Sequence, residues 1–144
     1  MLNYRYPNRF QLKNEIAAKL NDYPMIKLVL QPIVENAIYH GMDDSKPLMR
    51  IELTSEVTPQ ALLLYIKDDG VGMSEETLER LNRSLAGAEN AGEMRNSGGI
   101  GLKNVNERIK LHYGNSYGLK VSSVSGQGTK VILQLPLEVR EGHY

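Results

Sequence analysis

Leu62-Leu63-Leu64-Tyr65-Ile66-Lys67-Asp68-Asp69-Gly70-Val71-Gly72-Met73 is the stretch on which the reading of this chain turns. Its first part is almost wholly apolar, the pattern of a central strand rather than a solvated edge. Asp68 ends that strand, and glycines follow at alternate positions, Gly70 and Gly72. A carboxylate at a strand end can accept a hydrogen bond from an exocyclic amine. The two glycines let the backbone turn tightly and approach a flat ring. An ordinary Asp/Gly turn after a strand reads the same way, so the neighbouring segments have to be weighed with it.

Upstream, residues 49–57 read as a second strand, joined to residues 61–67 as a hairpin around Thr58-Pro59-Gln60. Before it, Ile26, Val29, Leu30, Ile33, Val34, Ala37 and Ile38 recur at helical spacing over residues 25–40. Pro32 falls inside that pattern, where a proline costs roughly 3 kcal/mol. The helix therefore kinks there or starts near it, and Gly41 stops it. Phe10, Leu12, Asn14 and Ile16 alternate as a short strand, and Asn21-Asp22 and Pro24 punctuate the chain between that strand and the helix. Downstream, Ser74-Glu75-Glu76-Thr77 is a capped helix start, running to about Leu85. Residues 87–98 are small, polar and glycine-rich, a mobile loop of functional length. Leu102, Val105 and Ile109 share one face of a third helix. Strands over residues 119–124 and 130–135 close the chain, with Gly126 and Gly128 turning between them, and residues 138–144 fray. Helices and strands mix without regular βα alternation, which makes the fold class α+β, a sandwich with the sheet on one side and the helices on the other.

The 144 residues suffice for one domain with a full core. Lys plus Arg and Asp plus Glu both number 17, so there is no basic excess of the kind that grips a phosphate backbone, and no nucleic-acid partner is expected. The absence of cysteine excludes disulfides, thiolate metal sites and cysteine nucleophiles. No apolar run approaches the about 20 residues of a membrane helix. Met1 to Phe10 lacks the apolar stretch of a signal peptide. No direct membrane insertion of this domain is expected.

Three further constellations carry chemistry. Ser97-Gly98-Gly99-Ile100-Gly101-Leu102-Lys103-Asn104 leads glycines into a helix, whose free N–H groups and dipole suit an anion. It lacks the ending of a Walker A loop and the preceding strand of a dinucleotide fingerprint, and a flexible glycine-rich helix entry would look similar. Glu35 and Asn36 precede His40, with Asn36 and His40 four apart on one helical face. An Asn carbonyl beside a carboxylate suits Mg²⁺, which takes oxygen ligands and keeps several waters. His40 can contact phosphate or simply favour the helix end, and a solvated polar face explains the group equally. His112 and His143 read as surface residues. Ser125-Gly126-Gln127-Gly128-Thr129 needs no function beyond its hairpin, although the Thr129 hydroxyl can help hold a base.

In order, these four segments resemble the N, G1, G2 and G3 boxes of the GHKL ATP-binding fold, over nearly the whole chain. The wording is most similar to YesM/LytS-type sensor histidine kinases, in Leu30-Gln31-Pro32-Ile33-Val34-Glu35-Asn36-Ala37, in Gly99-Ile100-Gly101-Leu102-Lys103-Asn104-Val105-Asn106-Glu107-Arg108, and in Arg5-Tyr6-Pro7-Asn8-Arg9-Phe10. The resemblance implies a two-layer α/β sandwich of the Bergerat type, a mixed and mostly antiparallel sheet against about three helices, in a single domain over residues 1–144. It implies ATP and Mg²⁺ as cofactors. Asn36 would ligate Mg²⁺, and Glu35 would orient water or the incoming nucleophile, making these two the catalytic pair. Asp68 would bind the adenine amine, with Thr129 supporting it through water. Gly70, Gly72 and Met73 would shape the adenine pocket. Gly99, Ile100, Gly101, Leu102 and Lys103 would face the phosphates beside His40, under an ATP lid at about residues 87–98.

The same resemblance implies transfer of the γ-phosphoryl group to a histidine, in two-component signal transduction and phosphorelay. None of His40, His112 and His143 lies on an acceptor-like helix before the N box. The acceptor is therefore expected on a dimerisation domain absent from this chain, with a response regulator as the further partner. The location expected is a cytoplasmic domain of a membrane-anchored sensor. Two departures stand out. Tyr39 replaces the lysine that many histidine kinases carry before the N-box histidine, leaving Lys103 or Arg95 to substitute, and there is no clear F box. Related hydrolases of the gyrase, Hsp90 or MutL kind place a glutamate four residues before the metal-binding Asn. Here that residue is Pro32, which cannot act as a base. An anti-sigma-factor serine kinase and a non-catalytic docking module are the other readings weighed.

Overall fold

Alternation along the strands sorts the chain into two layers. The computed structural model describes residues 10–18, 20, 23–41, 48–87 and 100–137. Strands β1 (Phe10–Asn14), β2 (Met49–Val57), β3 (Leu62–Asp68), β4 (Gly118–Val124) and β5 (Gly128–Leu135) form one sheet in the order β1-β2-β3-β5-β4. β1 runs parallel to β2, and every other pair is antiparallel. Helices α1 (Pro24–Gly41), α2 (Glu75–Leu85) and α3 (Ile100–Tyr113) cover one face. Leu62, Leu64 and Ile66 of β3 point into that layer and join Val29, Ile33, Leu81 and Ile109 in one apolar core. β3 lies at the centre of the sheet, as its composition predicts. The result is the expected α+β sandwich with a mixed, mostly antiparallel sheet. Among the described residues no helix is long and apolar enough to cross a membrane.

Several boundaries move for local reasons. α1 starts at Pro24 and runs unbroken through Pro32, well short of a start at Pro32 itself. The buried row of Ile26, Val29, Ile33 and Ile38 offsets the lost backbone bond. β1 stops at Asn14 rather than Ile16, because the Asn14 side chain accepts the Ile16 N–H at 3.0 Å and turns the chain. β5 begins at Gly128, earlier than the expected Lys130. Thr129 is therefore a strand residue paired with Asp68 on one side and Ser123 on the other. The hairpin between β2 and β3 closes on Thr58, whose hydroxyl accepts the Ala61 N–H at 3.0 Å and whose N–H donates to the Ala61 carbonyl at 2.9 Å. Ser74 caps α2 by accepting from the Thr77 N–H at 3.2 Å. Of the loop expected over residues 87–98, only Gly87 lies among the described residues, where it closes α2 with a φ of 84°. Residues 88–98, Gly99, the entry segment Arg5 to Arg9, Asn21-Asp22 and residues 138–144 lie outside them.

A buried amide ties the layers together behind the site. Asn106 of α3 is 2% exposed, so each of its polar atoms needs a protein partner. It donates to the Leu85 carbonyl at 2.8 Å and accepts the Leu119 N–H at 2.8 Å. The approach is close enough that a Cβ on Gly118, at φ 141°, would stand 2.4 Å from the Asn106 Oδ1. Asn106→Ala strands a carbonyl of α2 and an N–H of β4. The expected cost is about 2–4 kcal/mol, read as a lowered urea midpoint with an unchanged slope.

Candidate functional site

At the C-terminal end of β3 the alternation that buries Leu62, Leu64 and Ile66 brings Asp68 inward, where it is 6% exposed. Its Oδ1 accepts the Gly70 N–H at 2.8 Å, which fixes the turn after the strand. Asp69 points the other way and has a structural task. Its carboxylate accepts the Arg50 N–H at 2.7 Å, and its own N–H donates to the Arg50 carbonyl at 3.1 Å. These bonds carry the pairing of β2 and β3 one step past the strand.

Glycine is required twice in that turn. A Cβ on Gly70 would lie 2.5 Å from the Gly41 carbonyl oxygen, the end of α1. Gly72 has φ 71°, and a Cβ there would lie 2.2 Å from the Val124 oxygen. Between them, Val71 donates its N–H to Gly41 at 3.0 Å and accepts the Gly126 N–H at 2.6 Å. The turn is thus fastened to α1 on one side and to the β4–β5 hairpin on the other. Met73 continues it, its N–H donating to the Ser123 hydroxyl at 2.9 Å.

These constraints close a cavity of about 40 Å³ between α1, α3 and the sheet. Asn36, His40, Asp68, Gly72, Met73, Leu102 and Thr129, all singled out from the sequence, line it. Among the described residues, Ile33, Ala37, Gly41, Ile66 and Val131 also line it. The sequence marked this second set only as core or as a helix stop. The volume is that of roughly one water molecule. Half-buried Met73, unbranched and adaptable, is the wall residue best suited to moving for a larger occupant.

The remaining predicted residues sit around the rim. Gly101 opens α3 beside Asn36, and a Cβ on it would stand 3.9 Å from the Asn36 Oδ1. Ile100 is the first residue of α3 and Lys103 is half-buried one turn in. Gly70 lies beneath the cavity rather than on its surface. Glu35 is not in the lining. It is exposed, and its carboxylate accepts from the Gln31 side chain at 3.2 Å. Tyr39 is 74% exposed and packs edge-on against the His40 ring, with centroids 4.6 Å apart. Among the described residues no three His, Asp or Glu side chains gather closely enough to hold a metal. A hard cation here would depend on Asn36, ligand oxygens and water.

A wider hollow of about 550 Å³ opens over the outer face of β1, β2 and β3, lined in part by Lys13, Arg50, Glu52 and Lys67. Its size exceeds that of the cavity and it shares Asp68 with it, but it takes in neither the Asn36–His40 row nor the first turn of α3. The predicted chemistry therefore converges on the narrower space.

The profile of the histidine kinase-, DNA gyrase B- and HSP90-like ATPase family matches residues 21–139. A sensor-like histidine kinase of Staphylococcus epidermidis is 33% identical over 135 residues, 94% of this chain and 25% of that protein. Sensor protein LytS of Bacillus cereus is 28% identical over 137 residues, 95% of this chain and 22% of that protein. Sensor histidine kinase YesM of Bacillus subtilis is 29% identical over 133 residues, 92% of this chain and 21% of that protein. The chain thus spans about a quarter of the length of the curated relatives it matches. Among solved structures, the catalytic domain of histidine kinase ThkA superposes with a TM-score of 0.64 at 20% identity, covering 94% of this chain and 84% of that one. A blue-light activated histidine kinase of Erythrobacter litoralis gives 0.63 at 19% identity, covering 94% and 38%. At these identities the two structures establish the fold.

Gly70→Ala tests the seam beneath the cavity. The clash is with backbone rather than a movable side-chain tip, so the expected loss is about 1–3 kcal/mol of stability. Thermal unfolding reads it, and Gly126→Ala, where a Cβ would meet nothing within 4 Å, serves as the comparison that bears only the positive φ.

Proposed function

Because this chain belongs to the histidine kinase-, DNA gyrase B- and HSP90-like ATPase family, we propose that it binds ATP with Mg²⁺ and transfers the γ-phosphoryl group to a histidine on a partner domain. The observation that carries the reading is the meeting of Asn36, His40, Asp68, Gly72, Met73, Leu102 and Thr129 around one cavity. They come from four separate sequence segments, and only an adenine nucleotide site gives all four a task. Residues 1–144 form one catalytic domain in this reading.

Asp68 and Thr129 hold the base end, where a buried acceptor next to glycine backbone fits an exocyclic amine and a flat ring. Asn36 stands beside the first turn of α3, whose N–H groups would receive phosphate oxygens. Lys103 adds charge on that helix in place of the lysine that Tyr39 displaces. Asn36 would hold Mg²⁺ together with ligand oxygens and water, and the ion would supply charge neutralisation at the phosphates. Glu35 is exposed one residue away, so an incoming side chain meets it without the cavity having to open. The N–H groups, Lys103 and Asn36 position and stabilise charge, which is most of what phosphoryl transfer asks of a protein.

The acceptor histidine belongs to a dimerisation domain, and a response regulator receives the phosphoryl group next. The whole sensor would be membrane-anchored with this domain in the cytoplasm. A hydrolase of the gyrase or Hsp90 kind is disfavoured by Pro32, which occupies the position of the glutamate base that the resemblance assigns to that group.

Two measurements test this. Calorimetry with ATP should show binding that strengthens with Mg²⁺ and weakens by about 1–3 kcal/mol in Asp68→Ala, the size of one lost hydrogen bond to a buried amine. No ATP binding by the folded chain would sink the reading. Incubation with labelled ATP should leave the chain alone unlabelled, label a supplied histidine-bearing helical dimer, and fail with Asn36→Ala. Strong phosphohistidine on the isolated chain would overturn the assignment of the acceptor to a partner domain.

A further inference from the structure

Three polar side chains form a row across the helix-facing side of the sheet. Asp68 on β3 pairs in register with Thr129 on β5, and Thr129 pairs with Ser123 on β4. Asp68 and Thr129 line the cavity, and Ser123 stands behind them. The Ser123 oxygen is 2.7 Å from the Gly128 carbonyl oxygen, 2.9 Å from the Met73 nitrogen and 3.0 Å from the Thr129 hydroxyl oxygen. A serine hydroxyl offers one proton and two lone pairs. The Met73 N–H can only donate, and the Gly128 carbonyl can only accept. The Ser123 proton therefore goes to Gly128. Otherwise two oxygens would face each other at 2.7 Å with no proton between them. Thr129 must then donate its own proton to Ser123, and only its lone pairs remain for the cavity.

We infer that Ser123 is a positioning residue that locks the Thr129 hydroxyl as an acceptor toward the cavity and so selects a base with an amino edge over one with a carbonyl there. The inference rests on the adenine-nucleotide reading and deepens it by assigning the source of base discrimination. An ionised Asp68 also only accepts. Two acceptors side by side receive the 6-amino group of adenine and repel the 6-oxo group of hypoxanthine. An unlocked Thr129 would turn and donate to that oxygen, and part of the discrimination would disappear. Ser123 removes this escape. It also tethers the Met73 backbone, so the wall that moves for the ring does so through its side chain alone.

Calorimetry with ATP and with inosine triphosphate, both with Mg²⁺, tests the assignment. The unaltered chain should prefer ATP. Ser123→Ala should lower that preference roughly tenfold, the scale of one mispaired hydrogen bond, chiefly by tightening inosine triphosphate. Ser123→Thr, which keeps the hydroxyl, should restore the preference, and Ser123→Ala should change nothing further in a Thr129→Val background. Equal weakening of both nucleotides in Ser123→Ala, or an unchanged ratio, would overturn the inference. Should Ser123→Ala not fold, Thr129→Val decides alone, because an unchanged ratio there leaves Ser123 nothing to act through. Failure of the unaltered chain to bind ATP, or binding indifferent to Asp68→Ala, would instead strike the nucleotide reading itself.

Discussion

The Val71 peptide unit is used on both sides. Its N–H reaches the Gly41 carbonyl at 3.0 Å, and its carbonyl receives the Gly126 N–H at 2.6 Å. The first bond sets where the last turn of α1 stands over the sheet, and with it Asn36 and His40. The second sets the β4–β5 hairpin, and with it Ser123 and Thr129. Neither approach is possible with a side chain at Gly70 or Gly72, since each Cβ would meet backbone oxygen at 2.5 and 2.2 Å. Backbone cannot retreat as a side-chain tip can. The two glycines are therefore a packing requirement of the whole site.

Much of the fold and site is legible in the sequence because it is local. The run from Leu62 to Ile66 marks a central strand, and the helical spacing from Ile26 to Ile38 survives Pro32. Period-two alternation even separates the adjacent carboxylates. Counting inward from Leu64 and Ile66 reaches Asp68, and Asp69 falls on the opposite face, where it extends the ladder with Arg50. The same count along β4, from Leu119 and Val121, brings Ser123 inward, although its partners cannot be read that way. Those partners lie on β5 and on the turn after β3, and register between strands is set by three-dimensional pairing. The start of β5 escapes the sequence for the same reason. Gly128 looks like a turn residue until Val124 is found opposite it. Asn106 gives no signal, since a polar residue in a helix usually faces water.

The two ends of the site are built differently. On the proposed nucleotide reading, the base end consists of strand residues locked by a hydrogen-bond row from Met73 through Ser123 to Thr129 and Gly128. The phosphate end, on the same reading, is the start of α3. Asn106 bonds α2 to α3 and to β4, so these elements hold a fixed relation. Recognition of a base needs fixed donors and acceptors, and sheet register supplies them.

The family to which this chain belongs includes hydrolases and kinases on one fold, so the fold alone does not name the reaction. The difference must lie in what stands next to the terminal phosphate. Positions four apart on α1 share a face, and the position one turn before Asn36 is Pro32. Proline offers neither a proton nor a lone pair there. Glu35, by contrast, stands on the exposed side of α1, where its carboxylate takes a bond from Gln31 instead of reaching into the cavity. A base buried beside the phosphate would activate water whenever nucleotide was bound. A carboxylate held outside, facing solvent, is open to a nucleophile that a docked partner would bring. On the proposed kinase reading, the residue types at positions 32 and 35 of α1, rather than any change of fold, would set the choice between transfer to a docked partner and hydrolysis.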